Sequence, residues 1–326
     1  MERSSYFVIR IIRKIRQKGC RMINLVKNEI RKTLVGKDNA IESIMIAMLS
    51  GGHVLIEDLP GLGKTTLAKA FAASLDCTYR RIQFTPDLMP SDLIGISIFS
   101  KEQQKFVFHE GPIFTNVLLA DEINRTSPKT QSSLLEAMEE SQVTVDGRTL
   151  KLEAPFIVIA TENPIELQGT FPLPEAQLDR FMMRISLGYP TTDEEVEILT
   201  LKENPALING VITKDALADA IRDMEKIYVD PALKRYIVKL MKATREHPSV
   251  KLGASPRASV HLFNGARAKA YLYGRDFVIA SDISSLFETV IGHRLILKGE
   301  ALHKGTGLRN LLQEIVDTVE VPKVSR

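Results

Sequence analysis

The chain has 326 residues, 44% apolar and 25% charged, which excludes a largely disordered polymer and allows one large domain or two ordinary ones. Lys plus Arg is 43 and Asp plus Glu 40, a net charge of +3. Residues 1–21 alone hold seven basic residues and one acidic, so the other 305 carry 36 basic and 39 acidic, and a nucleic-acid-binding body is not indicated.

In chain order, the tail comes first. Val8, Ile11, Ile12 and Ile15 share one helical face, ringed by Arg10, Arg13, Lys14 and Arg16. Three readings stay open: an interfacial amphipathic helix, a solvated extra helix, or sequence upstream of a true start at Met22. No run approaches the roughly 20 apolar residues of a spanning helix. Cys20 and Cys77 form no CxxC and suit free thiols in a reducing compartment, so a cytoplasmic location is expected.

From about residue 50 to 186, short apolar runs alternate with helical segments. Strands are expected at His53–Glu57, Tyr79–Phe84, Val117–Ala120, Phe156–Ala160 and Phe181–Ser186, with helices at Thr65–Leu75 and Ser132–Ser141. Leu67, Ala68, Phe71 and Leu75 mark the buried face of the first of these helices. Such alternation predicts a parallel sheet covered on both faces. Two stretches interrupt it. Ile94–Phe108 reads as two short strands around a polar turn, and Gln142–Glu153 as a hairpin turning at Asp146-Gly147. Each is read equally as a partner-contacting insertion or as cover for a sheet edge. From Pro190 the pattern becomes helical, with capping boxes at Thr191 or Thr192 and starts at Asp230-Pro231, Ser255-Pro256 and Ser281-Asp282. The expected organisation is a basic tail over 1–21, an α/β core over 22–189 and a smaller all-helical domain over 190–326.

Pro60-Gly61-Leu62-Gly63-Lys64-Thr65, followed by Thr66, falls where a strand turns into a helix. A phosphate needs several backbone N–H groups aimed at it and a fixed cation. Gly61 and Gly63 permit the close approach, the helix N-terminus adds its dipole, Lys64 can reach the β- and γ-phosphates, and Thr65 can ligate Mg²⁺. Asp58 stands where the motif has its first glycine, and is expected as a turn residue that tolerates left-handed geometry. Downstream, a strand ends in Asp121-Glu122. The first acid there can hold Mg²⁺ and the second can polarise an attacking water. Asn163 is read equally as an amide that orients water and as an Asx turn before Pro164. Taken alone, Arg180 and Arg257 read as surface salt-bridge partners, although a cation in the first turn of a helix, as at Arg257, opposes the dipole.

Together these residues resemble the AAA+ ATPases and, within them, the MoxR family. The resemblance runs through Val35-Gly36-Lys37, Gly51-Gly52-His53, Pro60–Thr65, Arg81–Leu88, Gly111–Phe114, Ala120–Arg125, Gln131–Met138, Ala160–Pro164, Leu173–Phe181 and Gly253–Ala258, and covers about residues 22–300. It implies a five-stranded parallel sheet of order 5-1-4-3-2 with a C-terminal helical lid. It implies that Lys64 and Thr65 act as Walker A, Asp121 and Glu122 as Walker B, and Asn163 as sensor 1. Arg180 resembles the arginine finger that acts on a neighbouring subunit's ATP, and Arg257 resembles sensor 2. Val35 and Gly36 would lie against adenine, with Pro60 to Thr66 around the phosphates. The hairpins resemble the helix-2 and pre-sensor-1 insertions of one AAA+ clade.

The implied activity is Mg²⁺-dependent ATP hydrolysis driving chaperone-like remodelling of a protein substrate. The implied assembly is a ring, usually a hexamer, with a von Willebrand A-domain protein as partner. A motor subunit of a metal-chelatase-like complex and a DNA-acting AAA+ motor are the alternatives. A GTPase is disfavoured because no Asn-Lys-x-Asp motif is seen, and a non-hydrolysing scaffold because Glu122, Asn163 and Arg180 are intact.

Overall fold

A computed structural model describes residues 18–164, 169–203, 206–299 and 307–323; the apolar face expected around Val8 to Ile15 lies outside them. The first helix, α1, is described over residues 18–30 and is followed by α2 (Asp38–Leu49), β1 (Val54–Glu57), α3 (Lys64–Ser74) and β2 (Tyr79–Gln83). Then come α4 (Pro90–Ile94), β3 (Gly95–Ser100), β4 (Lys105–Glu110), β5 (Val117–Asp121) and α5 (Pro128–Glu140). The core closes with β6 (Gln142–Val145), β7 (Arg148–Lys151), β8 (Ile157–Glu162), α6 (Glu175–Leu178) and β9 (Met183–Ile185). The helical part contains α7 (Thr192–Glu203), α8 (Lys214–Met224), α9 (Pro231–Glu246), β10 (Val250–Leu252), α10 (Pro256–Leu272), α11 (Ala280–Ile291), β11 (Ile296–Leu297) and α12 (Leu308–Thr318).

The main sheet has five strands in the order β2-β5-β8-β1-β9, all paired in parallel. Counted among the core strands this is 2-3-4-1-5, which is the expected 5-1-4-3-2 read from the other edge. The central strands β5, β8 and β1 are short and mostly apolar because both faces are covered, whereas the edge strand β2 exposes Arg80 and Arg81. Val54, Ile56, Val117, Leu119, Ile157 and Ile159 face one core with α2 and α3. Leu55, Leu118, Ala120, Val158 and Ala160 face the other, against Leu134, Leu135 and Met138 of α5. Leu67, Ala68, Phe71 and Leu75 are fully buried, as their spacing predicts.

Both expected hairpins form, β3 with β4 and β6 with β7. Asp146 and Gly147 both take positive φ, 51° and 74°, the geometry a two-residue hairpin needs. Asp230 and Ser255 cap α9 and α10 through their side chains. Of the two threonines, Thr191 makes the capping box: its Oγ1 accepts from the Glu194 N–H and its own N–H donates to the Glu194 carboxylate at 2.8 Å.

The helical part is not a separately cored body. Met182 and Met183 of the core share one apolar cluster with Leu262, Leu286 and Val290 of the helices, and Ile46 of α2 belongs to it too. A buried polar joint reinforces this packing. Arg294 donates to Asp179 Oδ1 at 2.7 Å and to the carbonyl of Phe181 at 2.6 Å, while Ser255 Oγ donates to the same Asp179 carboxylate. By contrast α7 buries none of its residues.

Candidate active site

The loop between β1 and α3 opens upward from the end of the sheet. Gly61 and Gly63 hold φ of 84° and 88°, a left-handed conformation that other residues adopt only at a cost. Gly63 caps α3 directly, so the loop's N–H groups and the helix dipole address the same space. A Cβ on Gly63 would stand 3.0 Å from Leu34, which presses the segment before Val35 against the loop. Pro60, Gly61, Gly63, Lys64, Thr65 and Thr66 line a pocket of about 380 Å³ together with Asp121, Glu122 and Asn163. Lys64 Nζ donates to the Asp58 carbonyl at 2.6 Å. Burial lowers the ammonium's pKa, against the attraction of Asp121, Asp58 and Glu122.

The two acids are fixed by residues that lie in the runs carrying the family resemblance but to which the sequence assigned no role. Thr161 Oγ1 donates to Asp121 Oδ1 at 2.6 Å and accepts from the Glu122 N–H at 2.9 Å. Arg81 pairs with Asp121 Oδ2 at 2.6 Å, which places a cation on the carboxylate expected to hold Mg²⁺. Glu122 sits in the left-handed region, φ 57° and ψ 52°, an uncommon and strained conformation for a glutamate. The turn carries its side chain into the pocket, where Gln83 Nε2 and Arg125 hold Oε2 at 2.7 and 3.0 Å. The donor set fits Mg²⁺·ATP: Thr65 supplies a hydroxyl and Asp121 a carboxylate beside a cradle of backbone N–H groups.

Val35 is buried, and Gly36 takes φ +70° with Glu194 of α7 where its Cβ would be. Neither lines the phosphate pocket, nor does Leu62. Arg180 and Arg257 are absent from that lining as well. Both converge on Glu139 of α5, Arg180 at 3.3 Å from Oε2 and Arg257 on Oε1, beside a separate surface depression.

Asp58 corrects the sequence reading. Its φ is not positive, so it is not a left-handed turn residue. It is 8% exposed, and its carboxylate accepts from Ser186 Oγ at 3.0 Å and from the N–H groups of Leu187 and Gly188. A negative charge buried in this way is retained because three donors satisfy it. Nothing in a local motif signals those donors, which lie about 130 residues downstream.

Two titratable groups around the sheet ends also lie within those runs but were assigned no role there. Glu162 is pushed up to about 7, first by burial and then by the charge of Glu57, with Arg184 opposing. His53 is pushed down to about 4 by burial. Its Nδ1 accepts from the Val158 N–H and its Nε2 bonds the Met138 carbonyl, each at 2.9 Å.

Comparison with known proteins agrees with this geometry. The model of the ATPase family associated with various cellular activities (AAA) matches residues 53–183, and the AAA lid domain matches residues 242–315. A Bacillus subtilis protein named YeaC is 47% identical over 90% of this chain and 92% of its own. The chaperone MoxR1 of Mycobacterium tuberculosis is 39% identical over 91% of this chain and 81% of its own. The crystal structure of a candidate ATPase from Cytophaga hutchinsonii superposes with a TM-score of 0.87 at 38% identity, covering 94% of this chain and 98% of that one.

Proposed function

The chain belongs to the MoxR family of AAA+ ATPases, and from that premise we propose that it hydrolyses ATP as a ring, each site completed by the neighbouring subunit, to remodel partner proteins. The observation that carries this reading is the shared seat of Arg180 and Arg257 on Glu139. Of the cations at the phosphate pocket of the same chain, Arg81 is engaged by Asp121 and Arg125 by Glu122, which leaves Lys64. Transfer of a phosphoryl group spreads negative charge over several oxygens and needs more positive charge than Lys64 alone. A neighbour's arginine pair supplies it.

Within the site, Lys64 leaves the Asp58 carbonyl for the β- and γ-phosphates. Glu122 is held through Oε2, which leaves Oε1 to polarise the attacking water. Asn163 orients that water against the γ-phosphate. Thr65 and Asp121 would hold Mg²⁺, which when bound neutralises phosphate oxygen charge. Val35 and Gly36 lie against adenine.

The client is a protein, met through the two hairpins. Ile96, Ile98, Phe99 and Phe106 are exposed on β3 and β4, Phe106 by 71%, and exposed apolar clusters of this kind serve binding. A von Willebrand A-domain protein is the partner carried over from the family resemblance. Among the described residues both cysteines are free thiols and no helix is long and apolar enough to cross a membrane; the cytoplasm is the compartment this reading implies.

The shared site is tested by mixing inactive subunits. Arg180→Ala and Lys64→Ala chains, each lacking phosphate release alone, are expected to recover it when combined, because some interfaces then hold an intact loop facing an intact arginine. No recovery at any ratio would sink the shared site.

A further inference from the structure

The residue that replaces a glycine of the phosphate loop joins that loop to the connection between the core and α7. Asp58 faces two ways. Its carbonyl accepts from the Lys64 ammonium at 2.6 Å, and its carboxylate holds Ser186 Oγ and the N–H groups of Leu187 and Gly188. From the opposite side, Lys37 Nζ donates to the carbonyls of Leu187 and Gly188 at 2.9 and 3.0 Å. Two adjacent residues are therefore gripped by an anion on their N–H groups and a cation on their carbonyls, with Asp58, Lys37 and Leu187 buried and Gly188 half-buried.

The segment so gripped is built to turn. Gly188 takes φ 63°, and a side chain there would meet nothing within 4 Å. Beyond it, Thr191 and Glu194 cap α7. That helix buries no residue, so it can swing without opening the apolar core, whereas α10 and α11 are packed into one cluster with α2 and β9. Glu194 also sits where a Cβ of Gly36 would be, so a shift of α7 is felt at the segment expected to face adenine.

We infer that Asp58 is a positioning residue that relays nucleotide occupancy to the 187–188 hinge: when Lys64 turns from the Asp58 carbonyl to phosphate, the carboxylate loosens its grip on the hinge amides and α7 is released. The inference rests on the ATPase reading, and the moving part it names is α7 and not the whole helical domain.

The test is amide hydrogen exchange of Leu187 and Gly188 in the full chain, with and without a non-hydrolysable ATP analogue, alongside a direct titration of analogue binding. In the wild type, bound analogue is expected to speed exchange at these two amides about tenfold, the scale of one charge-assisted hydrogen bond. Asp58→Asn is expected to bind the analogue yet exchange fast from the start and show no response. Lys37→Met is expected to exchange faster at rest but to keep its nucleotide response, because the path from Lys64 is intact. That contrast separates a relay from a merely structural clamp, and Lys37→Met gives a reading even if Asp58→Asn fails to fold. A wild type that binds analogue without any change at 187–188 overturns the relay, as does a full response in Asp58→Asn or a lost response in Lys37→Met. A wild type that binds no analogue overturns the ATPase reading itself.

Discussion

Arg180 on the core and Arg257 on the helical part meet on one carboxylate, Glu139. The two cations lie about eighty residues apart in sequence and are brought together by the Asp179 joint. Asp179 adjoins Arg180 and also accepts from Ser255, the N-cap of the helix that carries Arg257. If these arginines serve a neighbour's nucleotide, Glu139 competes for them in the isolated subunit. The specific ATPase rate should then rise with protein concentration. Glu139→Gln should lower the half-maximal concentration by about two- to fivefold, the worth of exposed ion pairs, with little change in melting temperature. Turnover measured across a dilution series checks this, and a flat profile would contradict it.

Thr161 is the hinge pin of the acid pair. It is fully buried, donates to Asp121 and accepts from the Glu122 N–H. Thr161→Val keeps the shape and removes both bonds, so the half-buried Glu122 N–H loses this partner and the buried Asp121 carboxylate a donor. The expected cost is roughly 1–3 kcal/mol in denaturant unfolding. Because Asp121 also loses its orienting donor, the Mg²⁺ concentration for half-maximal ATPase should rise. Unchanged stability together with an unchanged Mg²⁺ requirement would show that Thr161 holds neither acid.

These two residues mark how far the sequence could be read. The sheet was legible because its central strands are buried on both faces, which leaves runs such as VLLA with little polar interruption, and the hairpin at Asp146-Gly147 because its turn demands positive φ. Lys64, Thr65, Asp121 and Glu122 were expected together because phosphate chemistry constrains type and spacing locally, Asn163 was added by the family resemblance, and the structure brings all five to one pocket. Thr161 was missed because the strand was expected to stop at Ala160. It runs on through Glu162, and strand alternation then turns Thr161 toward Asp121. Asp58 was misread because its role depends on Ser186 to Gly188, a tertiary contact with no local trace. Gln83 and Arg81 share that fate: they act through a neighbouring strand, β5, whose register only the sheet reveals.

Buried His53 sets a pH dependence. Its folded pKa is depressed from an ordinary value near 6.5 to about 4, so between these values the unfolded chain holds more protons than the folded one. Stability contributed by the neutral ring is present above pH 6.5 and is lost as the pH falls toward 4. From pH 7 to pH 5 the share of this loss due to His53 is about 2 kcal/mol, and Glu162, raised to about 7, acts in the opposite direction, so the comparison of wild type with variant isolates it. His53→Asn should be less stable at pH 7, since the Met138 carbonyl loses its donor, but its unfolding free energy should fall less steeply over that interval. Parallel wild-type and variant slopes in urea titrations at the two pH values would rule out His53 as the source.

Arg294 decides whether the helical part is held to the core by charge as well as by packing. Its side chain is 2% exposed, and its pKa is lowered by burial against the support of Asp179. It bonds the Asp179 carboxylate, the carbonyls of Asp179, Phe181, Met182 and Val290, and His261. Arg294→Met fills similar volume but leaves Asp179 with Ser255 and no cation and several carbonyls without their donor, and because Asp179 is partly exposed the cost should fall at or below the low end of the roughly 3–5 kcal/mol of a broken buried pair. The double variant Arg294→Met, Asp179→Leu should recover part of that loss, because no buried charge is then stranded. ATPase turnover should not recover with it, since Ser255 and the arginine pair still lack their organiser. If turnover returns along with stability, the joint only anchors the helices, and the placement of Arg180 and Arg257 does not depend on it.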